Sequence, residues 1–278
     1  MSRFGLILGP LLLISSATSS AALIGMSTDT DAVYTIDPIT GSATFLSVSS
    51  GNYAGIGLSY LGHDLYATDL LVHIGEPWDV RLAKVDTNLG VSTSINQQDG
   101  SLNWHGLASN QSSELLYTID INDSFTLKSI DKNGNINSLG LTGIDGRGMA
   151  YDNTHGILYA TDKATRGLYT VNTATGESDF IGNMGLDTAH LGLAYDELNN
   201  ILFANVVQPD SQDGRIGSLF QVDVSNGATS LVGLNGVNFI DGLAWVADAK
   251  PIPAPPTLLL FGIGLLGMAG IKQGYKLS

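Results

Sequence analysis

The 278-residue chain has no cysteine, which excludes disulfide frameworks, thiolate zinc sites, iron–sulfur clusters and a thiol nucleophile. It is also short of positive charge: 12 Lys and Arg against 26 Asp and Glu leave a net charge of −14. Binding to nucleic acid needs clustered bases to neutralise phosphates, so that class of partner is excluded too. Charge of either sign is sparse at 14% of residues, whereas 44% are hydrophobic, too many for a disordered chain. Glycine is plentiful instead. Its 34 copies weaken helix interiors and argue against a mostly helical fold.

Uninterrupted apolar runs occur at the two ends. At the N-terminus Arg3 precedes an apolar run to Ile14, and small residues follow from Ser15 to Ala22. That order is the plan of a secretory signal peptide over residues 1–22, with cleavage after Ala21 or Ala22. Near the C-terminus four of the eight prolines fall in PIPAPP, Pro251 to Pro256, which reads as a stiff extended linker. An uncharged run then extends from Leu258 to Ile271. As a helix it reaches roughly 21 Å, short for a bilayer core of about 30 Å unless its flanks snorkel or the membrane thins. Lys272 and Lys276 follow with no acid, so the positive-inside rule puts the tail in the cytoplasm and the rest outside.

Proline-rich spacer, short Leu/Gly-rich span and basic end, over residues 251–276, together resemble the PEP-CTERM sorting signal of exported bacterial proteins. The resemblance implies an exosortase, an integral membrane enzyme, as processing partner. It further implies a stage in the inner membrane and a destination at the cell surface or in an extracellular matrix. The family's Pro-Glu-Pro stands here as Pro253-Ala254-Pro255, and lysine replaces its arginine-rich end, departures that bear on processing rather than on the span. An ordinary single-span anchor is the alternative. The same tail also carries the label of an ice-binding protein C-terminal domain, which describes the tail and not its cargo.

Between the ends lies a repeat. Gly-Leu-Ala-Tyr or a variant recurs at Gly57, Gly106, Gly148, Gly192 and Gly242, at spacings of 49, 42, 44 and 50 residues. A second apolar segment follows most copies, as at Leu65 to Asp69, Leu116 to Asp120, Leu158 to Asp162 and Leu202 to Asn205. A third ends in an acidic or amide turn and a glycine, as in Val33 to Gly41, Leu82 to Gly90, Leu168 to Gly176 and Leu219 to Gly227. A fourth, such as Phe180 to Gly182 or Ser230 to Gly233, closes the unit. Short Val/Ile/Tyr/Phe/Thr runs bounded by Asp, Asn and Gly are strands, and four per 40–50 residues make a β-propeller blade.

The expected fold is therefore an all-β, five-bladed propeller over residues 23–250. The N-terminal piece, Leu23 to Val48, lacks the Gly-Leu-Ala strand, and Gly242 to Val246 is that strand with nothing after it. Pairing the two closes the ring without a free sheet edge. Asp37, Asp86, Asp131, Asn172 and Asp223 sit where the third strand turns into the fourth, as caps of Asx turns, and Asn133-Gly134 reads as a type I′ hairpin turn. The pattern resembles bacterial propellers with YVTN-like or NHL-like repeats over about 230 residues, which specifies architecture and leaves function open.

This domain holds nine bases against 26 acids, or −17, which serves solubility and could gather divalent cations such as calcium. No nucleophile elbow, zinc-protease helix or phosphate loop occurs. The candidate site is the rim of the central channel, where the loop before each Gly-Leu-Ala strand opens. Those positions are Ile56, His105, Arg147, Leu191 and Asp241, with Trp104 and His190 one residue earlier and Asp69, Asp162 and Asn205 expected nearby. Trp104, His105, Arg147, His190 and Asp241 form a candidate site for a polar ligand such as a carbohydrate or carboxylate, with Trp104 as a stacking face. A solvated channel mouth is the competing explanation. Three function classes follow: a non-catalytic binding or structural module; a lactonase- or lyase-like propeller enzyme; and an ice- or surface-adhesion protein, for which no flat Thr-x-Thr array is present.

Overall fold

The computed structural model describes residues 22–48, 55–71, 79–87, 91–97, 103–187, 190–209, 215–237 and 239–246. The expected leader up to residue 21, and the linker, span and lysines of 251–278, lie outside the described residues. Among the described residues no helix is long and apolar enough to cross a membrane.

Twenty strands form five antiparallel sheets of four, each sheet one blade. Blade 1 contains β1 (Ala22–Ser27), β2 (Ala32–Ile36) and β3 (Ala43–Val48), completed by the last strand, β20 (Ile240–Val246). Blade 2 is β4 (Gly55–Leu61), β5 (Asp64–Leu71), β6 (Asp79–Asp86) and β7 (Val91–Gln97). Blade 3 is β8 (Ala108–Asn110), β9 (Leu115–Asp120), β10 (Thr126–Asp131) and β11 (Ile136–Leu141). Blade 4 is β12 (Gly146–Asp152), β13 (Ile157–Asp162), β14 (Gly167–Val171) and β15 (Ser178–Asn183). Blade 5 is β16 (Leu191–Asp196), β17 (Ile201–Pro209), β18 (Arg215–Val222) and β19 (Thr229–Leu234). The closure is as expected: β1 pairs with β20, Leu23 opposite Trp245 and Gly25 opposite Leu243. Ala22 itself faces Val246.

The repeat motif is explained by contacts between blades. Buried clusters fill the spaces between neighbours, such as Leu168, Met184, Leu193, Leu202 and Val222 between blades 4 and 5. The aromatic residue after Gly-Leu-Ala stacks on the aromatic residue of the second strand of the preceding blade. Tyr151 lies on Tyr117, Tyr195 on Tyr159 and Trp245 on Phe203, at 5.9, 5.9 and 6.3 Å between centroids. The motif's glycine lets the innermost strands approach: a Cβ on Gly192 would meet the Asp241 carbonyl at 2.5 Å. At the periphery the fourth strand touches the next blade's turn. A Cβ on Gly182 would lie 1.7 Å from the Asn226 carbonyl oxygen.

Turn chemistry follows the sequence with one correction. Asp37, Asn172 and Asp223 accept from the N–H two residues on, that of Ile39, Ala174 and Ser225, at 2.8–2.9 Å, and the closing Gly41, Gly176 and Gly227 take positive φ. The Asn133-Gly134 turn is not type I′. Of its two central residues only Gly134 has positive φ, at 84°, because the Asp131 carboxylate accepts from Asn133 and Asn135 N–H and stabilises a type I turn before the glycine. Blade 3 departs as well. Its innermost strand starts at Ala108 rather than Gly106, with Trp104 forming an isolated bridge to Asp120 and Thr118 Oγ1 donating to the Gly106 carbonyl at 2.8 Å.

Candidate functional site

The side chains at the axis are aimed by β-bulges. In blade 4, Gly146 faces Asp162 and Met149 faces Ala160, so the inner strand carries one residue more than its partner, around Arg147. Blade 2 does the same at Ile56, between Gly55 and Gly57. In blade 1, Ile240 faces Ser27 and Gly242 faces Met26, which leaves Asp241 as the surplus residue. A bulge turns a side chain out of the alternation of the strand, here toward the axis. Arg147 and Asp241 consequently line an axial crevice with Ile56, Leu191 and Leu243, too narrow to hold a water.

Arg147 and Asp241 each belong to a polar pair. Arg147 Nη1 lies 2.9 and 2.8 Å from Nδ1 and Nε2 of His105, and Nη2 donates to Asp145 at 3.0 Å. A neutral imidazole has one acceptor nitrogen for that contact. Burial, then the positive charge of Arg147, with smaller effects of His190 and Lys163, push the His105 pKa down to about 3. His105 is therefore neutral at physiological pH. On the other side, His190 Nδ1 lies 3.4 Å from Asp241 Oδ2, which also accepts from Thr28 Oγ1 at 3.1 Å. Asp241 is only 4% exposed, and among the described residues its Oδ1 has no hydrogen-bond partner, nor has Arg147 Nε.

Two neighbouring polar residues are engaged within the fold. Asp162 is buried and accepts from the Asp145 N–H at 2.8 Å, fixing the loop whose Asp145 holds Arg147. Asn205, also buried, donates to the Ile240 carbonyl at 2.7 Å and accepts from Asn235 at 2.6 Å, fixing the residue before Asp241. The side chain of Asp69 lies outside the described residues.

One expected residue is placed differently. Trp104 is 1% exposed, packed in the cluster of Leu82, Leu107 and Leu116, so its indole presents no stacking face. The reason is the bridge to Asp120, which turns Trp104 into the sheet interior. Phe239, missed in the sequence, lies beside His190 instead: half-buried, edge-on with centroids 5.8 Å apart, at φ 53°. Bulky residues adopt that φ rarely, and it is held by Thr28, whose N–H donates to the Phe239 carbonyl at 2.9 Å. The Gly-x-Gly spelling at Gly55 and Gly146 was the available signal for the bulges; nothing comparable marks Phe239. Among the described residues no group of three or more His, Asp or Glu side chains converges as a metal site.

No protein-family model matches the chain. No curated protein matches it in sequence. Solved structures do match. A chain of a nidogen/laminin complex superposes with a TM-score of 0.56 at 16% identity, over 83% of this chain and 100% of that one. TolB from Acinetobacter baumannii gives 0.51 at 13% identity, over 82% of this chain and 54% of TolB. A protein of unknown function from Bacteroides thetaiotaomicron gives 0.51 at 15% identity, over 81% and 60% respectively. The chain thus spans little more than half the length of the last two. At such identities the likeness shows the β-propeller fold alone.

Proposed function

We propose that this chain is an exported β-propeller acting as a non-catalytic binding module, with a polar ligand held at the axial mouth. The observation that carries the reading is the convergence of His105, Arg147, His190 and Asp241 from four blades or their loops, with a buried carboxylate oxygen left unpartnered among the described residues. Propellers commonly serve as rigid frames that display loops, and one structural neighbour comes from a nidogen/laminin complex, a setting of protein association. The test is a ligand screen on the full chain followed by the double substitution His105→Ala with Arg147→Ala. Loss of affinity with an unchanged melting temperature supports the mouth. Unchanged affinity moves the functional surface to the acidic outer loops.

The sorting reading rests on the two ends of the sequence. The chain is exported through its leader, held in the inner membrane by Leu258 to Ile271, and released to the surface or matrix by an exosortase acting near Pro253-Ala254-Pro255. Cleavage of the leader after Ala21 keeps Ala22 in the sheet opposite Val246. A reporter fused after Ser278 should be cytoplasmic. Mature protein that keeps its tail in the presence of an exosortase would reduce the tail to a plain anchor.

A second, enzymatic reading is favoured by one contact, His190 beside the buried Asp241, the arrangement of a base and its orienting acid. It predicts that His190→Ala abolishes a turnover while leaving ligand affinity intact.

A further inference from the structure

The outer rim of the ring shows, blade by blade, what the fold requires and what it does not. Among the described residues the fourth strand of each blade is the last of its sheet, with no strand on its outer side. Each fourth strand has a β-bulge at the same place, and the residue just before the bulge is exposed. In blades 2 and 3 that residue is Ser94 and Ser138, opposite Ala83 and Lys128. In blades 4, 5 and 1, which follow one another around the ring, it is Phe180, Leu231 and Phe45, opposite Tyr169, Phe220 and Tyr34. These three are 58, 58 and 56% exposed, and Leu234 and Val48 are exposed beyond the bulge. The two serines show that a blade forms without an apolar residue at this position. An exposed apolar side chain on an open sheet edge invites aggregation, so three such edges side by side call for something to cover them. Charge narrows the choice. No Lys or Arg occurs in β3, β15 or β19, or in β2 and β14 beside them, whereas Asp37, Glu177, Asp179 and Asp223 are exposed on or next to these edges. The third strands of blades 2 and 3 carry Lys84 and Lys128 instead.

We propose that the outer edges of blades 4, 5 and 1 are docking edges, each taking a short extended segment of a partner protein that alternates apolar and basic residues. The segment adds as a fifth strand, main chain to main chain, as far as the bulge. Its apolar residues pair with Phe180, Leu231 or Phe45, and its Lys or Arg side chains meet the neighbouring carboxylates. The bulge limits the added strand to a few residues, so one edge binds weakly and a partner engaging two or three edges gains by avidity. A second copy of this chain would set acidic edge against acidic edge. The reading is independent of the axial mouth.

The test titrates the full chain into a labelled, end-blocked, ten-residue peptide of alternating valine and lysine, followed by fluorescence anisotropy beside its valine–glutamate counterpart. The lysine peptide should bind and the glutamate peptide should not. Phe45→Ser, Phe180→Ser and Leu231→Ser keep the net charge and use the residue type of blades 2 and 3. Each should weaken binding by about threefold, and the triple variant by about thirtyfold, with an unchanged melting temperature. Should the triple variant fail to fold, the single variants decide. Binding of the lysine peptide that is indifferent to these substitutions is charge attraction alone and overturns the proposal, as does the absence of binding at millimolar concentration. Self-association of the parent chain in sedimentation, lost in the triple variant, would assign the edges to contacts between copies and overturn the basic segment.

Discussion

His105 gives the sharpest handle on the site, because its charge state is tied to folding. In the folded chain burial and the neighbouring Arg147 hold its pKa near 3, against 6.5 for the free side chain. Between those values the unfolded chain binds a proton that the folded chain refuses, so stability is full above about pH 6.5 and falls as the pH drops. The slope for one such group is about 1.4 kcal/mol per pH unit, hence roughly 2 kcal/mol between pH 6.5 and 5. His105→Gln keeps an acceptor for Arg147 Nη1 and cannot titrate. Urea unfolding of both proteins at half-unit pH steps isolates the effect, since every other carboxylate and histidine is common to the two. The variant should gain about 2 kcal/mol on the parent between pH 6.5 and 5. Parallel curves across that window would refute the buried, Arg-facing imidazole.

Three further outcomes follow from the fold. Gly182→Ala forces a methyl against the Asn226 carbonyl of the next blade and should cost about 1–3 kcal/mol by denaturant unfolding; an unchanged midpoint would contradict the blade contact. Ending the chain before Ile240 removes β20, opens blade 1 and should lower the melting temperature far more than trimming any one loop; a shift of about a degree or two would sink the closure. Burial pushes the Asp152 carboxyl up, but hydrogen bonds from the His155 side chain and N–H and from Tyr195 outweigh it, leaving the pKa below 3.8. Its stabilisation is present above 3.8 and lost as pH falls through the lower folded value, so Asp152→Asn should flatten the acid limb there and leave the window of His105 untouched.

The repeat made the blades legible because each motif position answers to the same neighbour in blades 1, 4 and 5. Glycine permits the inner strands to approach, the aromatic residue after Ala stacks on the preceding blade, and the Asx turn closes the third hairpin. Such positions announce themselves by recurring. The latch was legible for the same reason, as a motif present at one end and missing at the other. What the sequence could not disclose were features that occur once. Trp104 matched its rim position in the repeat yet is buried, because blade 3 breaks its inner strand and bridges Trp104 to Asp120. Phe239 packs on His190 with a left-handed backbone angle that its neighbours in sequence do not signal.

Five blades also set where selectivity can reside. With so few sheets around the axis, the inner strands meet glycine against backbone, and the channel has no width for a ligand to thread. The repeat varies at the residue just before each inner-strand glycine: Ile56, His105, Arg147, Leu191 and Asp241 occupy equivalent places with five different side chains. The polar members come from blades 3, 4 and 1, and blades 2 and 5 supply Ile56 and Leu191. His190 lies beside Asp241, and the Phe239 ring packs edge-on to the imidazole. Leu191 is 3% exposed and packed between blades 4 and 5, so Leu191→Ala should cost about 2–5 kcal/mol by denaturant unfolding, and an unchanged midpoint would contradict that packing, although Arg147 and Asp241 share its structural position.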